Sequence, residues 1–404
     1  MNGYNPAAAP THGRRRSLLS MITTNPWQPP LPDLYTQAAD ADLRARIRKA
    51  KAALGKKLLI LGHHYQQDAI IEFADFTGDS YELSRQAAAQ KDIEFVVFCG
   101  VHFMAESADI LTDPSVHVIL PDLGAGCSMA DMANIDQAIE CWDQLRRHCP
   151  GQRIIPITYV NSSAAIKAFV GEHGGAVCTS SNCRKILQWA LSEDGANAST
   201  PTDSKNKILF LPDQHLGRNT AYAMGYPLDR MILWEPTQEL GGNQPGQLQQ
   251  AGLVLWKGHC SVHMLFRPEH VDQARAKYPS VKVIVHPECQ WDVVQKADQA
   301  GSTSWIIKQI QAASPGSQWA IGTEVHLVNR LARQHPEQKI IVLSECQCLC
   351  TTMYRIDLPH LCWALENLAQ NNVLNRISVD PPTRRWALVA LQRMLALSAG
   401  PNPA

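Results

Sequence analysis

From Leu58 onward, short and almost wholly apolar runs alternate with longer stretches of helical periodicity. LLIL at 58–61, IIPI at 154–157, LVLW at 253–256, VKVIV at 281–285 and IIVL at 340–343 have the length of strands, and their lack of polar alternation marks strands buried on both faces. Strands of that kind, separated by helices, predict βαβ units: an α/β fold whose parallel sheets are covered on both sides. Ahead of them, Leu43 to Leu54 reads as a charged, Ala-rich amphipathic helix stopped by Gly55. Residues 1–42 and 399–404 are rich in Pro, Ala and polar residues and read as loose tails.

The ends of the strands carry a repeat. Three finish on polar clusters: LLILGHHY on His63, His64 and Tyr65; IIPITYVN on Tyr159 and Asn161; VKVIVHPE on His286 and Glu288. Each is followed by a hydroxyl-bearing pair, Asp79-Ser80, Thr179-Ser180 or Ser302-Thr303, and later by a strand that leads to a cysteine, Cys127, Cys260 or Cys350. Tyr65 to Ser80 and Glu288 to Thr303 are both 15 residues, and Tyr65 to Cys127 and Glu288 to Cys350 are both 62. The middle copy is longer, with Asn161 to Ser180 spanning 19 and Asn161 to Cys260 spanning 99. Its excess is expected in loops near Gly171–Gly175, Ser192–Asn206 and Glu239–Gly252. Three similar units follow, and polar residues at carboxyl strand ends are where open α/β sheets bind ligands.

Composition narrows the chemistry. The 404 residues carry 37 Lys plus Arg against 37 Asp plus Glu, so no global field gathers nucleic acid or anionic membrane. No apolar run approaches the roughly 20 residues of a membrane span, and the start around Arg14–Ile22 lacks a secretory apolar core. The expectation is a cytoplasmic protein with small-molecule partners. Twelve cysteines in a reducing compartment point to metal, cluster or redox chemistry rather than staples. Cys99, Cys141, Cys149, Cys178 and Cys362 have the settings of small buried hydrophobes.

Cys127, Cys260 and Cys350 each precede a plausible helix start, where unpaired N–H groups stabilise thiolate, the form that binds iron or zinc. Three such thiols suit an iron-sulfur cluster with one iron left without a protein ligand, able to polarise a substrate oxygen. Cys346 and Cys348, in the C-x-C-x-C run, are open to reading as free thiols, a regulatory disulfide or alternative ligands. Cys289 follows Glu288 but points to the opposite face by strand alternation. His63, Tyr65, His286 and Glu288 supply acid/base capacity, and Ser80, Tyr159, Asn161, Ser180 and Thr303 supply hydrogen bonds suited to an anionic carbon acid. Asp213, His215, Glu324 and His326 read as scaffold. On these features alone an iron-sulfur hydro-lyase for another small carboxylate, or a non-catalytic zinc or redox-sensing protein, also stands.

The strings GHHYQ, GDSYELS, CGVHFMAESADIL, PDLGAGCSMADM, YVNSSAAIKA, VCTSSN, FLPDQHLGRN, WKGHCSVH, HPECQWDVV and GSTSWII, with the Cys350 region, resemble the quinolinate synthase (NadA) family over about Leu58 to Asn367. The resemblance implies a transferase of de novo NAD biosynthesis that condenses iminoaspartate with dihydroxyacetone phosphate to quinolinate, phosphate and water. An L-aspartate oxidase would supply the iminoaspartate. It also implies three similar three-layer α/β domains with a pseudo-threefold arrangement around a central 4Fe-4S cluster: 43–128 joined by helices from 359–398, then 129–261 and 262–358. Carried over by motif, the cluster ligands would be Cys127, Cys260 and Cys350. Substrate would meet His63, Ser80, Tyr159, Val160, Asn161, Ser180, His286, Pro287, Glu288 and Thr303, and Tyr65, His286 and Glu288 would move protons. His64 stands where many members have Asn, and C-x-C-x-C where many have C-x-x-C-x-x-C.

Overall fold

The computed structural model describes residues 28–192, 206–344 and 348–399. It is mixed α/β, with strands that are parallel in all pairings but one. The first sheet contains β1 (Leu58–His63), β2 (Phe76–Gly78), β3 (Phe95–Cys99) and β4 (His117–Ile119). The second contains β5 (Ile154–Tyr159), β6 (Ala176–Cys178), β7 (Lys207–Leu211), β8 (Met231–Trp234) and β9 (Leu253–Trp256). The third contains β10 (Lys282–Val285), β11 (Gln299–Ala300), β12 (Gln318–Gly322) and β13 (Lys339–Val342). A short β14 (Arg376–Ile377) adds antiparallel to β4.

The repeat read from spacing is a repeat of strand order. The first sheet runs β14-β4-β3-β1-β2 and the third β11-β10-β12-β13, so in both the second strand of the unit lies outside the first, and the third and fourth follow on the other side. The second sheet runs β6-β5-β7-β9-β8, the same order with one more strand at the edge. The added length of the middle unit is therefore partly regular structure. Beyond β8, the stretch 239–252 expected as a loop holds a 3-10 turn (Glu239–Gly242) and a helix (Pro245–Gln250). Pro245 at its first turn gives up no hydrogen bond there, and Gln244 and Gln247 cap each other's backbone. Gly171 also lies inside a helix, Ala164–Glu172, rather than a loop. Most of the stretch 192–206 falls outside the described residues.

The strands are buried along nearly their full length because helices cover both faces; every residue of β1, β3, β5, β7 and β9 is buried. Residues 28–42, read from composition as part of a loose tail, hold a helical turn (Asp33–Thr36) and the start of the helix Asp40–Leu54. Tyr35 there is buried and donates to Glu366 at 2.8 Å. The C-terminal helices divide their packing. Leu358–Ala369 lies on Asp40–Leu54 beside the first sheet, but Pro381–Ser398 lies on Ala164–Glu172 and β6 of the second. Among the described residues no helix is long and apolar enough to cross a membrane.

The contact of Pro381–Ser398 with Ala164–Glu172 depends on the missing side chain of Gly171, where a Cβ would sit 2.0 Å from the carbonyl oxygen of Trp386. Gly171→Ala is expected to force the helices apart at a cost of about 2 kcal/mol, seen as a lower denaturant midpoint with an unchanged m-value.

Candidate active site

The carboxyl ends of the parallel strands of all three sheets supply one cavity. Its wall includes Cys127, Cys260 and Cys350, together with His63, Tyr65, Ser80, Tyr159, Asn161, Ser180, His286, Glu288 and Thr303. Of the positions expected from the sequence, Val160 and Pro287 are not among its lining residues. The Val160 N–H is spent on the carbonyl of Cys178 at 2.8 Å, and the Pro287 carbonyl accepts from the Asn219 amide at 2.8 Å.

The three thiols sit on three copies of one turn. Cys127 is the N-cap of Ser128–Asp131, and Cys260 and Cys350 precede the 3-10 turns His263–Leu265 and Met353–Arg355. In each copy the cysteine carbonyl accepts from the N–H four residues on: Asp131 at 3.2 Å, Met264 at 3.0 Å and Tyr354 at 3.0 Å. That turn aims further N–H groups at the sulfur: Met129 and Ala130 at Cys127, His263 at Cys260, Thr352 and Met353 at Cys350. Burial still pushes the Cys127 thiol up to about 12 against those donors, and burial pushes Cys260 and Cys350 up as well. Three thiolates here repel one another and need a cation among them. The donor set therefore fits an iron-sulfur core, whose positive irons supply what the backbone dipoles do not.

Cys260, His263 and Glu288 also bring ligand atoms within 4.8 Å of one another. Nδ1 of His263 and a carboxylate oxygen of Glu288 are only 2.6 Å apart, however. That is a hydrogen-bonded separation, shorter than the roughly 3.3 Å between two ligands each about 2.0 Å from a tetrahedral ion, so these two groups serve each other.

The acid/base groups are paired by the strand ends that carry them. In His63-x-Tyr65 the Tyr65 N–H donates to Nδ1 of His63 at 3.1 Å, and in His286-x-Glu288 the Glu288 N–H donates to Nδ1 of His286 at 3.4 Å. With Nδ1 accepting, each neutral ring carries its proton on Nε2. Burial lowers both imidazoles to about 3, which keeps them neutral. Glu288 is 2 % exposed, and burial opposes its ionisation. The contact with Nδ1 of His263 and the hydroxyl of Tyr159 outweigh that cost and hold it well below the usual carboxylate range. Burial, with the charge on Glu288, raises Tyr65 and Tyr159 far above an ordinary phenol, so both keep their protons.

His263 and Thr323 belong to this site although sequence reasoning missed them. Glu288 contacts Nδ1 of His263, whose Nε2 lies 3.2 Å from the Thr323 hydroxyl; that hydroxyl lies 2.8 Å from the Tyr65 hydroxyl, which reaches Thr303 at 3.0 Å. A close contact between Glu288 and His263, continued by hydrogen-bond distances through Thr323, thus joins Glu288 to Tyr65. The ring of His263 also stacks on His286 at 4.5 Å. The signal available was Cys260-x-x-His263, one turn of helix after a strand end; Thr323 carried none. Asp213 and Glu324 are N-caps of Gln214–Ala223 and Val325–Gln334, as a scaffold reading requires. Cys289 packs in the core of the third sheet with Cys348, and Cys346 lies outside the described residues.

The family model described as "Quinolinate synthetase A protein" matches residues 45–396. A quinolinate synthase of a Nocardioides species is 56% identical over 361 residues, 89% of this chain and 90% of its own length. That of Acidobacterium capsulatum is 55% identical over 90% of this chain and 95% of its own. That of Rhodopirellula baltica is 48% identical over 97% and 98%.

Thr323→Val keeps the shape at the centre of the Glu288–Tyr65 chain and removes its hydroxyl. It leaves His263 and Tyr65 each one partner short, and a stability loss of about 1–2 kcal/mol is expected in denaturant unfolding.

Proposed function

Because this chain belongs to the quinolinate synthetase A family and is an enzyme with quinolinate synthase activity, we propose that it works through a 4Fe-4S cluster held by Cys127, Cys260 and Cys350. The observation that carries this reading is the triplicate turn that points backbone N–H groups at three half-buried cysteines of one cavity. Cys127, Cys260 and Cys350 would hold the cluster, which with three protein ligands would supply Lewis-acid chemistry for the loss of water. The repeated strand order supports three α/β domains in a pseudo-threefold arrangement, 43–128, 129–261 and 262–358. The helix Leu358–Ala369 accompanies the first of them and Pro381–Ser398 bridges to the second.

The substrates are iminoaspartate and dihydroxyacetone phosphate, both anions, and the wall facing them is rich in donors. Ser80, Ser180 and Thr303 offer hydroxyls at or beside helix starts, where N–H dipoles favour negative charge. Asn161 lines the same space and has an amide oxygen with no protein partner, an acceptor suited to an imine or amine N–H. His63 and His286 present Nε2–H groups that hydrogen-bond substrate oxygen without adding charge. Val160 and Pro287 contribute through the backbone that orients Tyr159, Asn161, His286 and Glu288.

Carbon–carbon bond formation, ring closure and loss of water require a proton to leave carbon and protons to reach departing oxygens. Glu288, ionised, is the acceptor, and Tyr65, protonated, is the donor. The chain through His263 and Thr323 lets the proton gained at one reset the other, with His286 holding Glu288 in place. An L-aspartate oxidase is the partner that would supply iminoaspartate.

The direct test is quinolinate formation from iminoaspartate and dihydroxyacetone phosphate by anaerobically purified protein, with iron, sulfide and zinc measured on the same sample; zinc without sulfide would remove the cluster. Cys260→Ser is expected to lose most of its iron and sulfide along with turnover, and a full complement of both would exclude Cys260 as a ligand. Glu288→Gln should still bind substrate while kcat falls about a hundredfold or more; unchanged kcat would take Glu288 out of proton transfer.

A further inference from the structure

Asp79 is a buried carboxylate, 5 % exposed, at the N-cap of the helix Ser80–Ala89. One of its oxygens accepts the N–H groups of Tyr81 and Glu82, both at 3.0 Å. That accounts for the cap. The other oxygen faces away from its own helix and accepts two hydroxyls from distant parts of the chain, Ser181 at 2.7 Å and Ser304 at 2.6 Å. These partners lie 102 and 225 residues away, in the segments that follow β6 and β11.

The identity of the neighbours gives the arrangement its meaning. Ser80, Ser180 and Thr303 line the cavity, and each stands next in sequence to one member of the Asp79–Ser181–Ser304 knot. A single side chain therefore ties the backbones behind all three hydroxyls to one point. Only a carboxylate does this: it has two oxygens able to accept two hydrogen bonds each, and four donors are present. Burial opposes its charge, and the Ser181 and Ser304 hydroxyls with the Glu82 N–H more than compensate, so it stays ionised.

We propose that Asp79 is a positioning residue for substrate affinity: by joining Ser181 and Ser304 it sets the mutual spacing of the Ser80, Ser180 and Thr303 hydroxyls that receive the anionic groups of the substrates. The inference rests on the reading above that those hydroxyls bind substrate. Asp79 lines the cavity too, but both of its oxygens are taken up by four protein donors, which leaves it to position its neighbours rather than to bond the reacting atoms. Its loss therefore acts on binding that ground state and transition state share, which appears in KM and leaves kcat nearly unchanged.

Asp79→Asn tests this, because the amide oxygen still caps Tyr81 and Glu82 while its NH2 group can only donate, so the Ser181 and Ser304 hydroxyls must turn to accept and two short charge-assisted bonds become longer neutral ones. KM is expected to rise about tenfold or more with kcat within about threefold of the parent, and with iron and sulfide content unchanged. The double variant Ser181→Ala with Ser304→Ala leaves the cap intact, should give the same KM rise, and decides the matter alone if Asp79→Asn is insoluble. An unchanged KM in the soluble variants, or a fall in kcat together with loss of iron, would overturn the proposal. Ser80→Ala, Ser180→Ala and Thr303→Ala separate the two layers of the argument. If none of them raises KM, the hydroxyl reading itself fails; if they raise it and the Asp79 variants do not, only the positioning role fails.

Discussion

The structure turns on the cost of holding three thiols in a buried space. A sulfur charged enough to bind metal is stabilised by water or by donors, and desolvation by the surrounding protein pushes Cys127, Cys260 and Cys350 all towards the neutral thiol. The chain meets that cost three times with one device, a turn that begins at the cysteine and directs the next N–H groups back at its sulfur. The turns need a fixed place from which to start, which the carboxyl end of a buried parallel strand provides. The sheets and the covering helices follow as the frame that keeps three such ends facing one space.

The rest of the cavity is built from the same frame, and its parts differ in what they do with burial. Burial makes His63 and His286 neutral donors, keeps Tyr65 and Tyr159 protonated, and would have neutralised Glu288 but for His263 and the Tyr159 hydroxyl beside it. Groups of different charge states thus coexist at one pH, the condition for moving protons in both directions during a condensation and a dehydration. Opposite demands on neighbouring residues are met by choosing who sits next to whom. The stacked pair His263 and His286 is the clearest case.

The links between units are polar and buried. The chain from Glu288 to Tyr65 and the knot at Asp79 each join residues far apart in sequence. A buried polar group left alone is costly, so each bond in such a network locks its members in register more sharply than apolar packing, which tolerates sliding. The frame brings the strand ends near one another, and these bonds set the final spacing.

Much of this was written locally in the chain. Unbroken apolar runs such as LLIL and IIPI determined buried parallel strands, because two covered faces leave no place for polar alternation. The equal spacings from Tyr65 and from Glu288 announced a repeat that reappears as a shared strand order. What the tertiary structure alone decided has one physical cause: the contacts involved are between segments that sequence distance does not relate. The stretch 239–252 looked like a loop until it formed a 3-10 turn and a helix, and residues 28–42 looked loose until Tyr35 met Glu366. Pro381–Ser398 chose the second sheet because Gly171 let it approach. His263 and Thr323 entered the site only when Glu288 and Tyr65 lay on either side of them, and Ser181 and Ser304 gained a purpose only when both reached the free oxygen of Asp79.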